Sequence, residues 1–340
     1  MKKTKGLYIL DSRAFDLIYG PNQRREIEEL IEIPSRLYTS GEVINQPEVL
    51  ENIEVILSGW GGPQLSESFL SMAPALRALF YGAGSVAGVI TDAAWDRGIL
   101  VTSAWAANAV PVTEYALATI IFSLKHGWRF AREVRERRAY PIRDLAPGCY
   151  KSTVGLISMG MIPRLLLPHL QLLDLNLLAY DPFLSESAAK ELGVTLVSLD
   201  EVFRQSDVVS LHSPLLSETE GMITGAHIAS MKKGATFINT ARGAVVREAE
   251  MVKVLAERTD LQAVLDVTSP EPPPPDSPLY TLPNVVLTPH IAGSMGRECH
   301  RMGQSMIDEL KCYLRGERLQ WAITRDVAAK SSHRPVVKKK

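Results

Sequence analysis

Thr153-Val154-Gly155-Leu156-Ile157-Ser158-Met159-Gly160-Met161-Ile162-Pro163 reads as a strand, a turn and the opening of a helix. That is where a dinucleotide-binding turn sits. The pattern wants glycine at three places, and here they hold Ser158, Gly160 and Pro163. A strand, turn and helix with one glycine is common, so the turn alone decides little. Asp181 adds weight, because it stands about 20 residues on, at the end of the next apolar run. A carboxylate there accepts from the adenosine ribose hydroxyls and repels a ribose 2′-phosphate, which favours NAD over NADP. The competing reading of Asp181 is a turn residue before Pro182. A serine at the tight first position requires a negative φ or a relaxed turn. Pro163 falls in the first helical turn, where a missing N–H matters little. Pro168 falls in the helix interior, where it should force a kink and loosen the cofactor.

Further along, three stretches each leave the end of an apolar, β-branched run. They are Asn239-Thr240-Ala241-Arg242-Gly243, Leu265-Asp266-Val267 running on to Pro270-Glu271-Pro272, and Thr288-Pro289-His290-Ile291-Ala292-Gly293. In open α/β sheets the loops at that edge bind ligands. Together they offer an arginine, a glutamate and a histidine. These are the groups needed to anchor a carboxylate, polarise a neighbouring carbonyl and pass a proton.

Strands are expected at Leu7–Leu10, Val55–Ser58, Ala78–Tyr81 and Ile99–Thr102, and helices at Arg24–Glu32, Ser66–Ala73 and Asp92–Arg97. A long helical pattern follows from about Val112 to Arg137, apolar first and charged at its end. The alternation resumes at Thr153–Ser158, Leu175–Tyr180, Val208–His212, Thr236–Asn239, Ala263–Val267 and Val285–Leu287. Pro272–Pro275 must be a surface loop. Arg297–Arg315 is a final amphipathic helix, and the polar tail ending Lys338-Lys339-Lys340 is expected to be disordered. Alternation of this kind argues parallel sheets covered by helices, here two doubly wound α/β domains in series.

The 340 residues are 46% hydrophobic and 22% charged with a net charge of −1, which gives no electrostatic reason to invoke nucleic acid or a membrane. Cys149, Cys299 and Cys312 lie far apart with no paired spacing, so neither a disulfide framework nor a metal site is indicated. The basic start, Met1 to Lys5, precedes too short an apolar stretch for a signal peptide, and no run approaches a membrane span. A cytoplasmic protein is expected.

Several motifs in order carry a resemblance: Gly98-Ile99-Leu100-Val101-Thr102, Ala179-Tyr180-Asp181-Pro182, Leu211-His212-Ser213-Pro214, Met231-Lys232-Lys233-Gly234 and the three loops above. Over roughly Leu7 to Ala322 the chain resembles the D-isomer-specific 2-hydroxyacid dehydrogenases. The resemblance implies a flavodoxin-like substrate domain (residues 1–105 and 293–325), a Rossmann NAD-binding domain (106–292), a disordered tail (326–340) and a homodimer. It implies an NAD-dependent exchange between a small 2-oxo acid and its D-2-hydroxy acid.

By the same resemblance Arg242 binds the carboxylate and 2-oxo group, suited by a planar fork that stays charged. His290 is the general acid–base, and Glu271 orients its ring and favours its charged form. The cofactor would be held by Ser158, Met159, Gly160, Met161, Ile162, Asp181, His212, Ser213, Pro214, Thr219, Thr240, Ala241, Arg242, Asp266 and His290. Asp266 would accept from the nicotinamide carboxamide, whereas His212 is as readily a packing residue as a ligand. The loop Ala83-Gly84-Ser85 matches the one whose backbone binds the substrate carboxylate, alongside Arg242 and His290. After that loop the family usually carries Asp-Asn and a further Asp, where this chain has Ala87, Gly88 and Ile90, and Tyr81 replaces a common basic residue. Those departures bear on the substrate and not on the chemistry. A glyoxylate or hydroxypyruvate reductase fits better than a phosphoglycerate-type enzyme. An NAD-binding redox-sensing scaffold or co-repressor is the reading from a different class.

Overall fold

Short apolar runs alternating with helices build two parallel sheets, described here from a computed structural model over residues 3–143 and 146–330. The chain divides into two units: the residues up to Ala109 together with those from Ser294, and Val110–Gly293.

In the first unit, β1 (Gly6–Ile9), β2 (Leu37–Tyr38), β3 (Val55–Ser58), β4 (Ala78–Tyr81) and β5 (Leu100–Ser103) form a sheet ordered β2-β1-β3-β4-β5. This is the flavodoxin-like order. Successive side chains go to opposite faces. Leu7, Ile9, Ile56, Leu79 and Val101 join one core cluster, while Tyr8, Leu10, Val55, Leu57 and Phe80 join another. Both faces are covered, which is why these strands read as unbroken apolar runs. The helix Cys299–Leu314 covers the second face with Met302, Met306, Ile307 and Leu310. Its buried Glu309 accepts from Thr102 Oγ1 at 2.9 Å and from the N–H groups of Gln320 and Trp321 at 3.0 Å each, tying down the segment that follows. The expected disorder does not begin at residue 326. Arg325–Ala329 is a helical turn capped by Thr324, with Arg325 paired to Asp96 and Ala328 packed on the core. The rest of the tail, from residue 331, lies outside the described residues.

The second unit carries β6 (Thr153–Ile157), β7 (Asn176–Tyr180), β8 (Thr195–Leu196), β9 (Val208–Leu211), β10 (Thr236–Asn239), β11 (Gln262–Leu265) and β12 (Val285–Leu287). Their order, β12-β11-β10-β9-β6-β7-β8, is the Rossmann order with a seventh strand added. Tyr180, Ile157, Leu211, Asn239, Leu265 and Leu287 lie side by side in register at its carboxyl edge. One residue further along each strand stand Asp181, Ser158, His212, Thr240, Asp266 and Thr288. Six candidate loops therefore start from one row.

Two expectations about helices need correction. The single helix from Val112 to Arg137 is two helices, Trp105–Leu124 and Gly127–Arg137. His126 separates them in the left-handed region (φ 52°), and the Phe122 ring covers the space a side chain at Gly127 would need. Trp105–Leu124 is also long and apolar enough to cross a membrane by length and composition, contrary to the sequence reading, although half of that span is buried inside the protein. The two-residue strands β2 and β8 carry too few residues for any period to show.

Candidate active site

The Asn239 side chain shapes the loop after β10. Its Oδ1 accepts from Ala241 N at 3.0 Å and its Nδ2 donates to Arg242 O at 3.1 Å. Arg242 leaves this turn in an extended conformation, half-buried, with Nη1 donating to Ala241 O at 2.6 Å. Burial pulls its guanidinium below the usual arginine range, and the charge of Glu271 opposes that pull. Gly243 follows because the backbone of Thr268 and Ser269 fills the space beside it. The glycine brings the arginine loop against the glutamate loop.

Glu271 is held in turn by its own loop. Ser269 N donates to Glu248 Oε2 at 2.8 Å, and Thr268 Oγ1 donates to Pro270 O at 2.8 Å. Burial raises the Glu248 carboxyl above its ordinary range, and the bond from Ser269 draws it back.

His290 sits at φ 56°, an uncommon conformation that persists only where the surroundings fix it. Its N–H donates to the carbonyls of Asp266 and Thr288, both at 3.0 Å. Below it the buried Asp266 carboxylate accepts from Thr288 Oγ1 at 2.6 Å and from Ile291 N and Ala292 N at 2.8 Å. His290 Nδ1 meets Glu271 Oε1 at 2.6 Å. A carboxylate accepts, so Nδ1 carries the proton and Nε2 is left to exchange one with a ligand. The side chains are 48% and 42% exposed, which places the pair at an accessible surface and not in the core.

The dinucleotide turn departs from expectation. Ser158 has φ 71°, the glycine conformation, with a serine in it. Ser158 N donates to Tyr180 O at 2.7 Å, and its hydroxyl lies 2.7 Å from the hydroxyl of buried Ser213. Asp181 braces the same turn, accepting from Met159 N at 2.7 Å and Phe183 N at 2.8 Å. Arg164 folds back to donate from Nε to Met159 O at 2.8 Å. The helix Met161–Leu170 runs through both prolines. Pro168 deprives the Arg164 carbonyl of its partner, but both residues are exposed, so water can take that carbonyl.

Thr219 closes the next loop, its hydroxyl donating to Pro214 O at 2.6 Å and accepting from Leu216 N at 2.8 Å. His212 Nε2 lies 3.0 Å from Ser210 Oγ, and burial pushes the His212 pKa down to about 4, so the ring is neutral at pH 7.

These residues fit a dinucleotide. A Cβ added at Gly160 would meet open space, so nothing blocks close approach to that backbone. Gly160 caps its helix without a side-chain hydrogen bond, leaving first-turn N–H groups for an anion. Along the row, Thr240 Oγ1 and His212 Nδ1 are buried with no hydrogen-bond partner among the described residues. Buried polar atoms are nearly always satisfied, so orphans here mark a place for a ligand.

The loop Ala83-Gly84-Ser85 belongs to the first unit, beyond β4. Ser103 Oγ donates to Gly84 O at 2.8 Å, and Ala104 N donates to Ala83 O at 3.1 Å. Arg242, Glu271 and His290 all belong to the second unit. Sequence reading missed Gly243 as a contact, Glu248, Ser213 as a partner for Ser158, and Tyr115, whose phenol lies 2.9 Å from Thr288 Oγ1.

Residues 117–292 match the family described as D-isomer specific 2-hydroxyacid dehydrogenase, NAD binding domain. A glyoxylate reductase of Korarchaeum cryptofilum is 33% identical over 274 residues, 79% of this chain and 82% of that one. A D-3-phosphoglycerate dehydrogenase of Archaeoglobus fulgidus is 34% identical over 219 residues, 64% of this chain, which spans only 42% of that longer relative. Among solved structures, the D-lactate dehydrogenase of Aquifex aeolicus complexed with NAD and lactic acid superposes with a TM-score of 0.70. It is 26% identical, and the match covers 92% of this chain and 96% of that one. The chain belongs to the D-isomer-specific 2-hydroxyacid dehydrogenase family and carries its NAD-binding domain.

Proposed function

We propose that the protein reduces a small 2-oxo acid to the D-2-hydroxy acid, with Arg242, Glu271 and His290 as the catalytic residues. When bound, NADH would supply the hydride in reduction and NAD+ would take it up in oxidation. Arg242 holds the carboxylate and draws charge from the 2-oxo oxygen, in a half-buried setting where such a contact counts for more. His290 Nε2 delivers a proton to that oxygen in reduction and removes it in oxidation. Glu271 fixes the ring so that the second nitrogen is the one presented. Asp181 faces the ribose hydroxyls, and Ser158, Met159, Gly160, Met161 and Ile162 receive the pyrophosphate.

The observation that carries this reading is the 2.6 Å contact between His290 and Glu271, whose charge also acts on Arg242. Glyoxylate and hydroxypyruvate are the proposed substrates. The match to a glyoxylate reductase over 82% of its length supports them. NADH oxidation with glyoxylate, hydroxypyruvate, pyruvate and a 3-phosphorylated 2-oxo acid tests the proposal. Turnover concentrated on the first two supports it. NADH binding without turnover on any of the four would turn the reading toward a redox-sensing scaffold.

We also propose a homodimer formed through the second unit. Tyr140 (88% exposed) and Ile142 (77% exposed) lie just beyond the helix Gly127–Arg137, large apolar side chains with no cover of their own. Light scattering behind size exclusion decides it, and a monomer would end the proposal. A cytoplasmic location fits the three free cysteines.

A further inference from the structure

We propose that Tyr115 is a positioning residue for His290, acting through Thr288 and Asp266. The proposal rests on the reading of His290 as the acid–base group. Tyr115 stands half-buried on the helix Trp105–Leu124, and burial pushes its phenol above the ordinary tyrosine range, so it keeps its proton. The Tyr115 hydroxyl lies 2.9 Å from Thr288 Oγ1, which lies 2.6 Å from Asp266 Oδ1.

The chemistry of the three groups fixes the direction of this chain. The Asp266 carboxylate can only accept, so the Thr288 proton goes to it. The threonine oxygen then accepts, and the phenol is the donor that meets it. With both neighbours in place, the Thr288 hydroxyl has one orientation. The same carboxylate accepts from Ile291 N and Ala292 N, and the Asp266 backbone carbonyl accepts from His290 N. Asp266 therefore grips the loop on both sides of His290, and Tyr115 supports that grip by donating to Thr288 from 173 positions away. His290 at φ 56° depends on that grip. If the loop relaxes, the ring swings from Glu271 and the wrong nitrogen can carry the proton.

Tyr115→Phe removes one oxygen and keeps the ring, and Thr288→Val cuts the chain at its middle. With glyoxylate and NADH, each should lower kcat roughly tenfold, the effect of losing one hydrogen bond in a charged network, with KM and NADH affinity within about twofold. The double variant should be no worse than Thr288→Val alone, and Thr288→Ser, which keeps the hydroxyl, should restore kcat. An additive double variant, or a Tyr115→Phe kcat equal to that of the parent, would overturn the proposal.

Nitrogen-15 spectra of the histidine rings give a readout that needs no substrate, with the His290 signals identified by their loss in His290→Gln. The parent should show the Nδ1-protonated form and Tyr115→Phe a mixture. An unchanged His290 signal in Tyr115→Phe refutes the positioning role whatever the enzyme turns over. A changed signal in a protein that reduces no 2-oxo acid would leave the relay standing and remove the catalytic reading instead.

Discussion

The backbone of Thr268 occupies the space that a Cβ at Gly243 would need. The glycine therefore sets how closely the loop bearing Arg242 approaches the loop bearing Glu271. Gly243→Ala forces these backbones apart, and overpacking of this kind costs roughly 1–3 kcal/mol. The larger effect should be on turnover, because a displacement of about 1 Å at a positioned group costs on the order of 10²-fold. Thermal melting and kcat/KM measured together check this. Arg242→Ala sets the scale, since it removes the anchor outright while leaving NADH affinity close to the parent value. A Gly243→Ala enzyme with parental kcat/KM would show that the spacing of the two loops is immaterial.

Glu271→Gln tests the tautomer. The carboxylate at 2.6 Å can only accept from His290 Nδ1, whereas an amide can turn its NH2 toward that nitrogen and stabilise the opposite tautomer. By analogy with the aspartate-to-asparagine change in the serine protease triad, kcat should fall by roughly 10²–10⁴-fold while NADH binding holds. Steady-state kinetics and an NADH fluorescence titration give the two numbers. Equal losses in both would mean that Glu271 supports the fold of the loop and not the histidine.

Much of this site could be read from the chain. The apolar runs before Asp181, Ser158, His212, Thr240, Asp266 and Thr288 place all six at strand ends, because strands buried on both faces leave a clear apolar signature. Arg242, Glu271 and His290 stand out as chemistry-bearing residues just beyond those runs. The partners that hold them do not. Ser269 and Glu248 are 21 positions apart, Ser158 and Ser213 are 55 apart, and no local pattern links either pair. The break at His126 was hidden because apolar and charged residues keep helical spacing across it. Only the following glycine hints at the stop.

Asp181 has two jobs, and a single substitution can separate them. One oxygen accepts from Met159 N and braces the turn, and on the proposed reading the charge opposes a ribose 2′-phosphate. Asp181→Asn keeps an acceptor for Met159 and discards the charge, so NADPH use should rise relative to NADH with little loss of stability. Asp181→Ala removes both and should weaken either cofactor. The ratio of kcat/KM for the two cofactors is the measurement. A parent enzyme that already prefers NADPH would contradict the assignment.

His212 gives the fold a pH dependence with a definite sign. Burial depresses its folded pKa to about 4, whereas the unfolded ring titrates near 6.5. Between those values the unfolded chain binds more protons, so stability is fully present above about pH 6.5 and is lost as pH falls toward 4. Replacing His212 with Gln removes the titration, and urea unfolding from pH 7 to 4 should show a shallower acid slope than the parent. An identical slope would mean that the ring binds protons equally in the folded and unfolded states, so that burial does not shift it.

Ser158 is the clearest departure from the dinucleotide pattern, and its φ of 71° makes the consequence measurable. An L-residue in the left-handed region carries a strain of roughly 1–2 kcal/mol that glycine does not. The 2.7 Å contact between the hydroxyls of Ser158 and Ser213 offsets part of this and holds the turn in the conformation a glycine would adopt unaided. Ser158→Gly releases the strain but also leaves the buried Ser213 hydroxyl without its partner. The double change Ser158→Gly with Ser213→Ala removes both liabilities. Its melting temperature should exceed that of the parent, and Ser213→Ala alone should fall below it. NADH affinity should follow the same order, because the helix Met161–Leu170 presents its N-terminal N–H groups only when the turn before it is formed. Melting curves and NADH fluorescence titrations on the three variants decide the matter. If Ser213→Ala alone matches the parent in both, the hydroxyl pair contributes nothing and the strain at Ser158 must be relieved by the bond from Met159 N to Asp181.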